Sequence, residues 1–252
     1  MAKLGKAAKR RLIVVGVLLL ALVGWLIFNP KSYEPEPVQA EQVEQIENTA
    51  IDGEVGEWSA VGVLAKLEVH EKDTSQKYVR KDFYSNWSTY EGCDMRNVIL
   101  QRDLKDTVLE KCIVMTGVLE DPYTGKTINF VRGSGTSSAV QIDHVVALSN
   151  AWGTGAMKLD DEQRHSLSQD PLNLLAVDGP ANSKKSDKDA ADWLPENVAF
   201  QCEYVARQIS VKFKYVLWVT EPEKTAMEGV LETCPDEPTV GLESFAEQSS
   251  AQ

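Results

Sequence analysis

The sequence predicts an α+β domain in which short strands and short helices alternate along the chain. Two apolar, β-branched segments are joined by the turn-forming residues DPYTGK and predict a β-hairpin. Segments with helical spacing of apolar residues lie on both sides of that hairpin. A further strand ends at the pair Asp143-His144 and is followed by another strand and another helix. The hairpin, the flanking helices and the strand-strand-helix order together define the fold class.

The chain begins with a basic and then an apolar segment. Residues 1–11 carry five positive charges and no negative charge, and residues 12–28 are an uncharged apolar run of 17 residues. A run of this length lies near the lower limit for a membrane-spanning helix, and the basic residues before it predict a cytoplasmic N-terminus. We therefore expect a transmembrane signal-anchor. A cleaved signal peptide, with Val38-Gln39-Ala40 near the cleavage site, is the alternative, and both interpretations export the domain.

Charge and composition divide the rest of the chain into three parts. Residues 29–58 are acidic and Pro-bearing, which predicts a solvated extracellular stalk. Residues 59–234 are expected to form the folded domain, and residues 235–252 a disordered tail. The formal net charge of -12 comes mainly from the flanks, because residues 76–218 carry a net charge of only -2. Local basic surfaces are therefore compatible with the composition of the domain.

The first half of the domain is expected to contain a helix, a hairpin and a strand. AVGVLAKLEV and NVILQRDL have helical patterns. CIVMTGVL and TINFVRG are the two hairpin strands, and SSAVQID is the strand that leads to Asp143.

The second half is expected to continue with helices around one more strand. ALSNAWGTGAM and DDEQRHSL predict short helices, and PLNLLAV predicts a strand. A helix through ANSKKSDKDAADWL has Pro180 in its first turn and is stopped by Pro195. VARQISVKFKYVLWVT predicts the last helix of the domain.

The chain has four cysteines and no CxxC pair, so a zinc knuckle is a poor interpretation. An even number in an exported chain indicates two disulfides. Three connectivities are possible, and pairing Cys93 with Cys112 and Cys202 with Cys234 closes the shorter loops.

The candidate site lies where the strand ends at Asp143 and His144. Asn173 begins the next strand and Asn182 lies in the following helix, so this order can bring all four side chains around one point. A carboxylate and an amide oxygen suit a hard cation such as Mg²⁺ or Mn²⁺, which leaves coordination positions for water and phosphate. His144 has an imidazole suited to activate a water near neutral pH. The set predicts a phosphodiesterase that uses one divalent metal ion.

The same residues resemble the HNH, or ββα-metal, nuclease superfamily, and within it the exported branch similar to the C-terminal domain of the GmrSD restriction endonucleases. The resemblance rests on VQIDHVVALSNAW and DPLNLLAVDGPANSKKSDKDAADWLP, with support from GCDMRNVILQRDL, DPYTGKTINFVRG and EYVARQISVKFKYVLWV. It covers roughly residues 60–234 and includes the nine-residue interval between the two asparagines and the NxxK helix. It implies a ββα-metal motif within a small mixed domain. Relatives often have glycine where this chain has Ser186.

The resemblance implies that His144 is the general base, that Asp143 and Asn182 hold the metal, and that Asn173 fixes the loop and orients the base. Negative charge on the transition state also needs hydrogen-bond donors. Lys185 is the first candidate for this catalytic role. The further candidates for phosphate binding are Lys184, Lys188, Arg132 and Arg164.

Each residue also has an ordinary structural interpretation. His144 could be a hydrogen-bonded core histidine, Asn173 could begin a strand, and Asn182 could cap a helix. The lysines could form the solvated face of a helix. Trp152 and Trp193 are more simply explained as core residues.

The sequence therefore predicts a metal-dependent endonuclease that acts on nucleic acid outside the cytoplasmic membrane, with non-specific DNA favoured over RNA as substrate. Membrane contact is expected only through the N-terminal helix, and no obligate protein partner is evident. The alternative is a non-catalytic envelope module that keeps the ββα fold for binding.

Overall fold

The structure is a computed structural model that describes residues 58–242. Within this range the fold is α+β, as predicted, with seven α-helices and three small antiparallel sheets. The helices are α1 (Ala60–Leu64), α2 (Met95–Asp103), α3 (Leu148–Gly153), α4 (Asp161–Gln169), α5 (Gly179–Lys185), α6 (Gln201–Lys214) and α7 (Glu221–Leu231). The strands are β1 (Thr89–Tyr90), β2 (Cys93–Asp94), β3 (Lys105–Glu110), β4 (Ile113–Glu120), β5 (Thr127–Val131), β6 (Val140–His144) and β7 (Leu174–Asp178).

The sheet that carries the candidate site is the antiparallel pair β6 and β7, in which Val140 faces Asp178 and His144 faces Leu174. Helix α5 follows β7 directly, with the Asp178 carboxylate accepting a hydrogen bond from the Ala181 amide at 2.7 Å as its N-cap. The predicted order of strand, strand and helix around the site is confirmed. The predicted hairpin is also confirmed as β4 and β5.

Several elements differ from the sequence predictions. The short strands β1 and β2 were not predicted, and α6 ends at Lys214 although the predicted helix continued to Thr220. β3 was not predicted, because most of its residues are exposed and it lacks a buried face, yet it pairs with β4 and extends the hairpin to three strands. α5 ends at Lys185 rather than near Trp193, because Ser186 has a positive φ of 52° that cannot continue a right-handed helix. α7 was not predicted, although Thr220 and Glu223 form the capping box that begins it.

The packed domain also continues beyond Cys234, where the predicted tail begins. Thr239 and Leu242 are buried, and the Ala60 amide donates to the Glu237 carbonyl at 2.8 Å. Residues 235–242 therefore pack on the domain, because their apolar side chains complete the core around α1 and α6. The expected N-terminal basic segment, anchor and stalk, and the rest of the tail, lie outside the described residues, apart from Trp58.

Three apolar clusters stabilise the described fold. The largest joins α1, α6 and α7 with residues of β7 and α5, and it includes the fully buried Tyr204. A second cluster lies between α2 and the strands, and a third surrounds α3 and α4. The opposite faces of the β6–β7 pair lie against different clusters, which fixes the directions of alternate side chains on β6.

Two disulfides join Cys93 to Cys112 and Cys202 to Cys234. These are the two pairs that were predicted because they close the shorter loops. The first fastens β2 to the turn between β3 and β4, and the second fastens the start of α6 to the residues after α7. In residues 58–242 we find no helix with the length and apolar character needed to cross a bilayer.

Candidate functional site

Asp143, His144 and Asn182 line one cavity of about 550 Å³ between β6, α5 and the loop that precedes the first sheet. Its other lining residues are Tyr78, Arg80, Gln141, Ile142, Ala147, Leu148, Ser149, Ser186 and Asp187. Three of the four residues of the predicted constellation are therefore brought together. The fourth, Asn173, lies behind the cavity.

His144 ends β6 and is almost completely buried. Its Nε2 lies 2.9 Å from the Ser168 carbonyl oxygen, near the end of α4. Because a carbonyl oxygen can only accept, Nε2 carries the hydrogen of the neutral ring and Nδ1 keeps its lone pair. Burial lowers the pKa of His144 to about 3, and the positive charges of Arg80 and Lys185 act in the same direction. The ring is therefore neutral at physiological pH and has one nitrogen that can accept a proton.

Aromatic rings enclose His144 on the side of the wall segment, residues 78–87. The Trp87 ring is nearly parallel to the imidazole, at 11° and 6.0 Å between centroids, and the Tyr84 ring lies 5.8 Å away. These contacts fix the plane of the imidazole.

Asp143 is buried on the opposite side of β6 from His144. Its Oδ2 accepts a hydrogen bond from the Tyr123 hydroxyl at 2.5 Å, and its Oδ1 accepts one from the Lys185 ammonium at 3.1 Å. Burial raises the pKa of Asp143, while the ion pair with Lys185 and the hydrogen bond from Tyr123 oppose that change. A carboxylate has about four lone pairs, so the two donors leave acceptor capacity on the side that lines the cavity.

Asn182 is oriented by a residue that the sequence analysis did not single out. Its Nδ2 donates to Gln141 Oε1 at 2.8 Å, so the carbonyl oxygen of the same amide stays free to accept. Gln141 and Asp143 lie two positions apart on β6 and therefore point to the same face of the strand. That alternation was a signal in the sequence that could have identified Gln141.

Asn173 is fully buried and holds the loop that follows His144. Its side-chain oxygen accepts from the Val146 amide at 2.8 Å, and its Nδ2 donates to the Val146 carbonyl at 3.3 Å. Its own carbonyl accepts from the Val145 amide at 2.8 Å. Asn173 thus holds the two residues directly after His144 in place.

The structure does not place Lys185 where a donor to the substrate would be needed. The side chain is fully buried, and its ammonium bonds the Asp143 carboxylate and, at 2.9 Å, the His144 carbonyl. A buried ammonium retains its charge only when it is paired, so these contacts hold Lys185 within the fold. Lys185 therefore holds Asp143 and His144 in position and does not make the expected catalytic contact with phosphate.

The four residues expected to bind phosphate also lie away from the cavity lining. Arg132 bonds the Val114 carbonyl at 2.7 Å and the Asn97 side chain at 2.6 Å. Arg164 is held by the Leu159 carbonyl and the Asp161 carboxylate. Lys184 pairs with Glu196 at 3.3 Å, and Lys188 bonds the Lys184 carbonyl at 2.9 Å, which agrees with the solvated-face interpretation. Arg80 is the only cation among the lining residues, and its position far from the motif in sequence gave no signal for it.

The oxygen donors of the cavity fit a hard divalent cation. Asp143 offers a carboxylate oxygen and Asn182 offers the amide oxygen that its bond to Gln141 leaves free. Another group of potential ligand atoms within residues 58–242 is formed by Cys202, Cys234 and Glu237. Its two sulfurs are joined in a disulfide, so they are not thiolate ligands and this group is not a metal site.

Comparison with known proteins gives two matches. Residues 94–230 match the family model described as GmrSD restriction endonucleases, C-terminal domain. A protein of Arthroderma benhamiae, described as an uncharacterized secreted protein, is 35% identical over 180 residues, which cover 70% of this chain and 85% of that protein. No solved structure matches. The matched region contains β6, β7 and α5 with all four residues of the predicted constellation, and the chain belongs to the family of GmrSD restriction endonuclease C-terminal domains.

Proposed function

We propose that this protein is a metal-dependent HNH-type endonuclease that hydrolyses phosphodiester bonds, with non-specific DNA as the favoured substrate. The observation that supports this most directly is the tautomer of His144, which leaves Nδ1 as a proton acceptor in the cavity that Asp143 and Asn182 also line. The family is consistent with it, since its description is that of restriction endonucleases. The two disulfides and the secreted relative are consistent with action outside the cytoplasm.

In the proposed mechanism, His144 Nδ1 takes a proton from a water while the Ser168 carbonyl holds the ring. The water oxygen bonds to phosphorus, the P–O3′ bond breaks, and the 3′ oxygen leaves and takes a proton from solvent. Asn173 keeps the following loop in place through Val146. Asp143 and Asn182 would hold one Mg²⁺ or Mn²⁺ ion. The chemistry that such an ion supplies when bound is polarisation of the phosphate and stabilisation of the leaving 3′ oxygen.

We also propose that residues 12–28 anchor the chain in the membrane with the domain outside, or are removed to release it. The nearly neutral composition of residues 76–218 supports modest, salt-sensitive binding of nucleic acid with little sequence specificity.

The proposal is tested by digestion of supercoiled plasmid with the full-length protein in Mg²⁺, Mn²⁺ or EDTA. We expect nicking that requires the metal and that falls about 10²–10⁴-fold in His144→Ala, the usual contribution of a general base. His144→Gln retains an amide donor for the Ser168 carbonyl and separates loss of the base from loss of folding. His70→Ala, at an exposed position paired with Glu68, is the matched control. Cleavage by folded His144→Ala at the wild-type rate would show that His144 is not the base.

The alternative is a binding module, and one observation favours it. Lys185 and Tyr123 already compensate the Asp143 carboxylate, so the fold does not require a cation at this position. Thermal melting with Mn²⁺ distinguishes the two functions. The enzyme is expected to show a rise in Tm that Asn182→Ala removes, whereas a binding module shows neither the rise nor plasmid cleavage.

A further inference from the structure

The wall segment, residues 78–87, lies before the region that matches the family and forms one side of the cavity. Tyr78 and Arg80 line the cavity directly, and Tyr84 and Trp87 contact the His144 ring. A segment that encloses the expected base on one side is well placed to contact the substrate that the base acts on.

Arg80 has a charge that the described part of the chain does not compensate. No carboxylate of residues 58–242 forms an ion pair with it. Its guanidinium lies over the Tyr84 ring, 5.1 Å from the centroid, and donates to the Tyr84 hydroxyl. An aromatic face and a hydroxyl orient the guanidinium without neutralising it, and this leaves further N–H donors for a ligand.

The charges of the cavity lining indicate which class of ligand Arg80 would bind. Asp143 and Asp187 contribute negative charge, while the ammonium of Lys185 is committed to the interior of the fold. A phosphodiester entering this cavity needs a cation to offset its own charge and that of the carboxylates. Arginine is suited to this because its planar fork can bond two phosphate oxygens at once.

We propose that Arg80 binds the non-bridging oxygens of the substrate phosphate and that Tyr84 holds its guanidinium in place for this contact. This inference rests on the proposed nuclease function, since it names a substrate contact of the same site. It assigns to Arg80 the role that the sequence had assigned to Lys185 and to the four phosphate-binding candidates.

The first test is plasmid cleavage by full-length Arg80→Ala and Arg80→Lys. We expect Arg80→Ala to lower kcat/KM about 10²-fold, as loss of one transition-state donor does elsewhere. Arg80→Lys should recover only part of this loss, because an ammonium cannot bond two oxygens in one plane. Tyr84→Phe should give a smaller loss, since it removes the hydroxyl that orients the guanidinium. Lys81→Ala, an exposed cation in the same 3-10 turn, is the matched control and should leave cleavage unchanged.

The second test measures binding of a fluorescent oligonucleotide in EDTA as a function of salt. Arg80→Ala should reduce the slope of log K against log salt by about 1, and Arg80→Lys should restore it, because the slope counts phosphate charges neutralised. A residue with only a structural role would not change this slope in a protein that melts like the wild type.

The two tests separate failure of the inference from failure of the proposed function. If wild type and folded Arg80→Ala cleave equally and have equal salt slopes, the inference is wrong while the nuclease function stands. If no form cleaves but Arg80→Ala lowers the salt slope, Arg80 binds phosphate and the hydrolytic function is wrong.

Discussion

At the scale of single residues, key side chains of the candidate site have one atom held by a hydrogen bond. That bond determines which of the other polar atoms remains free. The Ser168 carbonyl determines which nitrogen of His144 is basic, and Gln141 determines which atom of the Asn182 amide is free. In both cases a backbone or side-chain contact outside the predicted motif sets the chemistry. The motif predicted the reacting residues, and the structure shows which neighbouring groups orient their side chains.

Ser186 leads to a prediction about strain beside the cavity. Its φ of 52° and ψ of -123° lie in a region that favours glycine. Ser186→Gly should raise the free energy of unfolding by about 1 kcal/mol because it removes this strain. The measurement is urea unfolding. Ser183→Gly, three positions earlier within α5, is the matched control and should lower stability by about 0.5–1 kcal/mol.

At the scale of elements, the sequence predicted helices and strands that have local signals and missed others that depend on tertiary contacts. β6, β7 and the start of α5 were predicted because their apolar residues and Pro180 act locally. β3 was missed because its pairing with β4, rather than a buried face of its own, holds it in the sheet. Arg80 was missed because its place at the cavity depends on tertiary packing of the wall segment, which leaves no periodic pattern in the sequence.

The packing of α5 on the 3-10 turn Ser137–Ala139, just before β6, leads to a prediction at this scale. Gly179 begins α5 so close to this turn that a Cβ would lie 2.1 Å from the Ser138 carbonyl oxygen. Gly179→Ala should therefore displace α5 and lower the free energy of unfolding by about 1–3 kcal/mol. Plasmid cleavage should fall as well, because Asn182 moves with α5.

Gly229→Ala is the control for Gly179→Ala, with the free energy of unfolding of both variants measured in urea. Gly229 lies in α7, and a Cβ there would meet nothing within 4 Å. This change should stabilise the protein by up to about 1 kcal/mol, because alanine is the better helix former. Equal effects of the two substitutions would contradict the close packing of α5.

At the scale of the whole molecule, the buried ionisable groups link stability to pH. The pKa of His144 is lowered by burial to about 3, against about 6.5 in an unfolded chain. Between these values the unfolded state binds more protons than the folded state, so stability falls as the pH falls from about 6.5 towards 3. Asp143, whose pKa burial raises, acts with the opposite sign.

We therefore predict that the metal-free protein loses about 2 kcal/mol of stability through His144 between pH 7 and pH 5. The measurement is urea unfolding in EDTA at several pH values. His144→Gln keeps Asp143 but lacks the imidazole, so the difference between its pH dependence and that of the wild type isolates this contribution. Parallel curves for the two proteins would show that the imidazole is not desolvated in the folded state.

The bond between Cys93 and Cys112 ties the residues that follow the wall segment to the three-stranded sheet. In a reducing compartment the two thiols stay unpaired, so the chain lacks this covalent tether there. We therefore expect this tether to stabilise the sheet only under oxidising conditions, so that a reductant lowers the Tm of the protein.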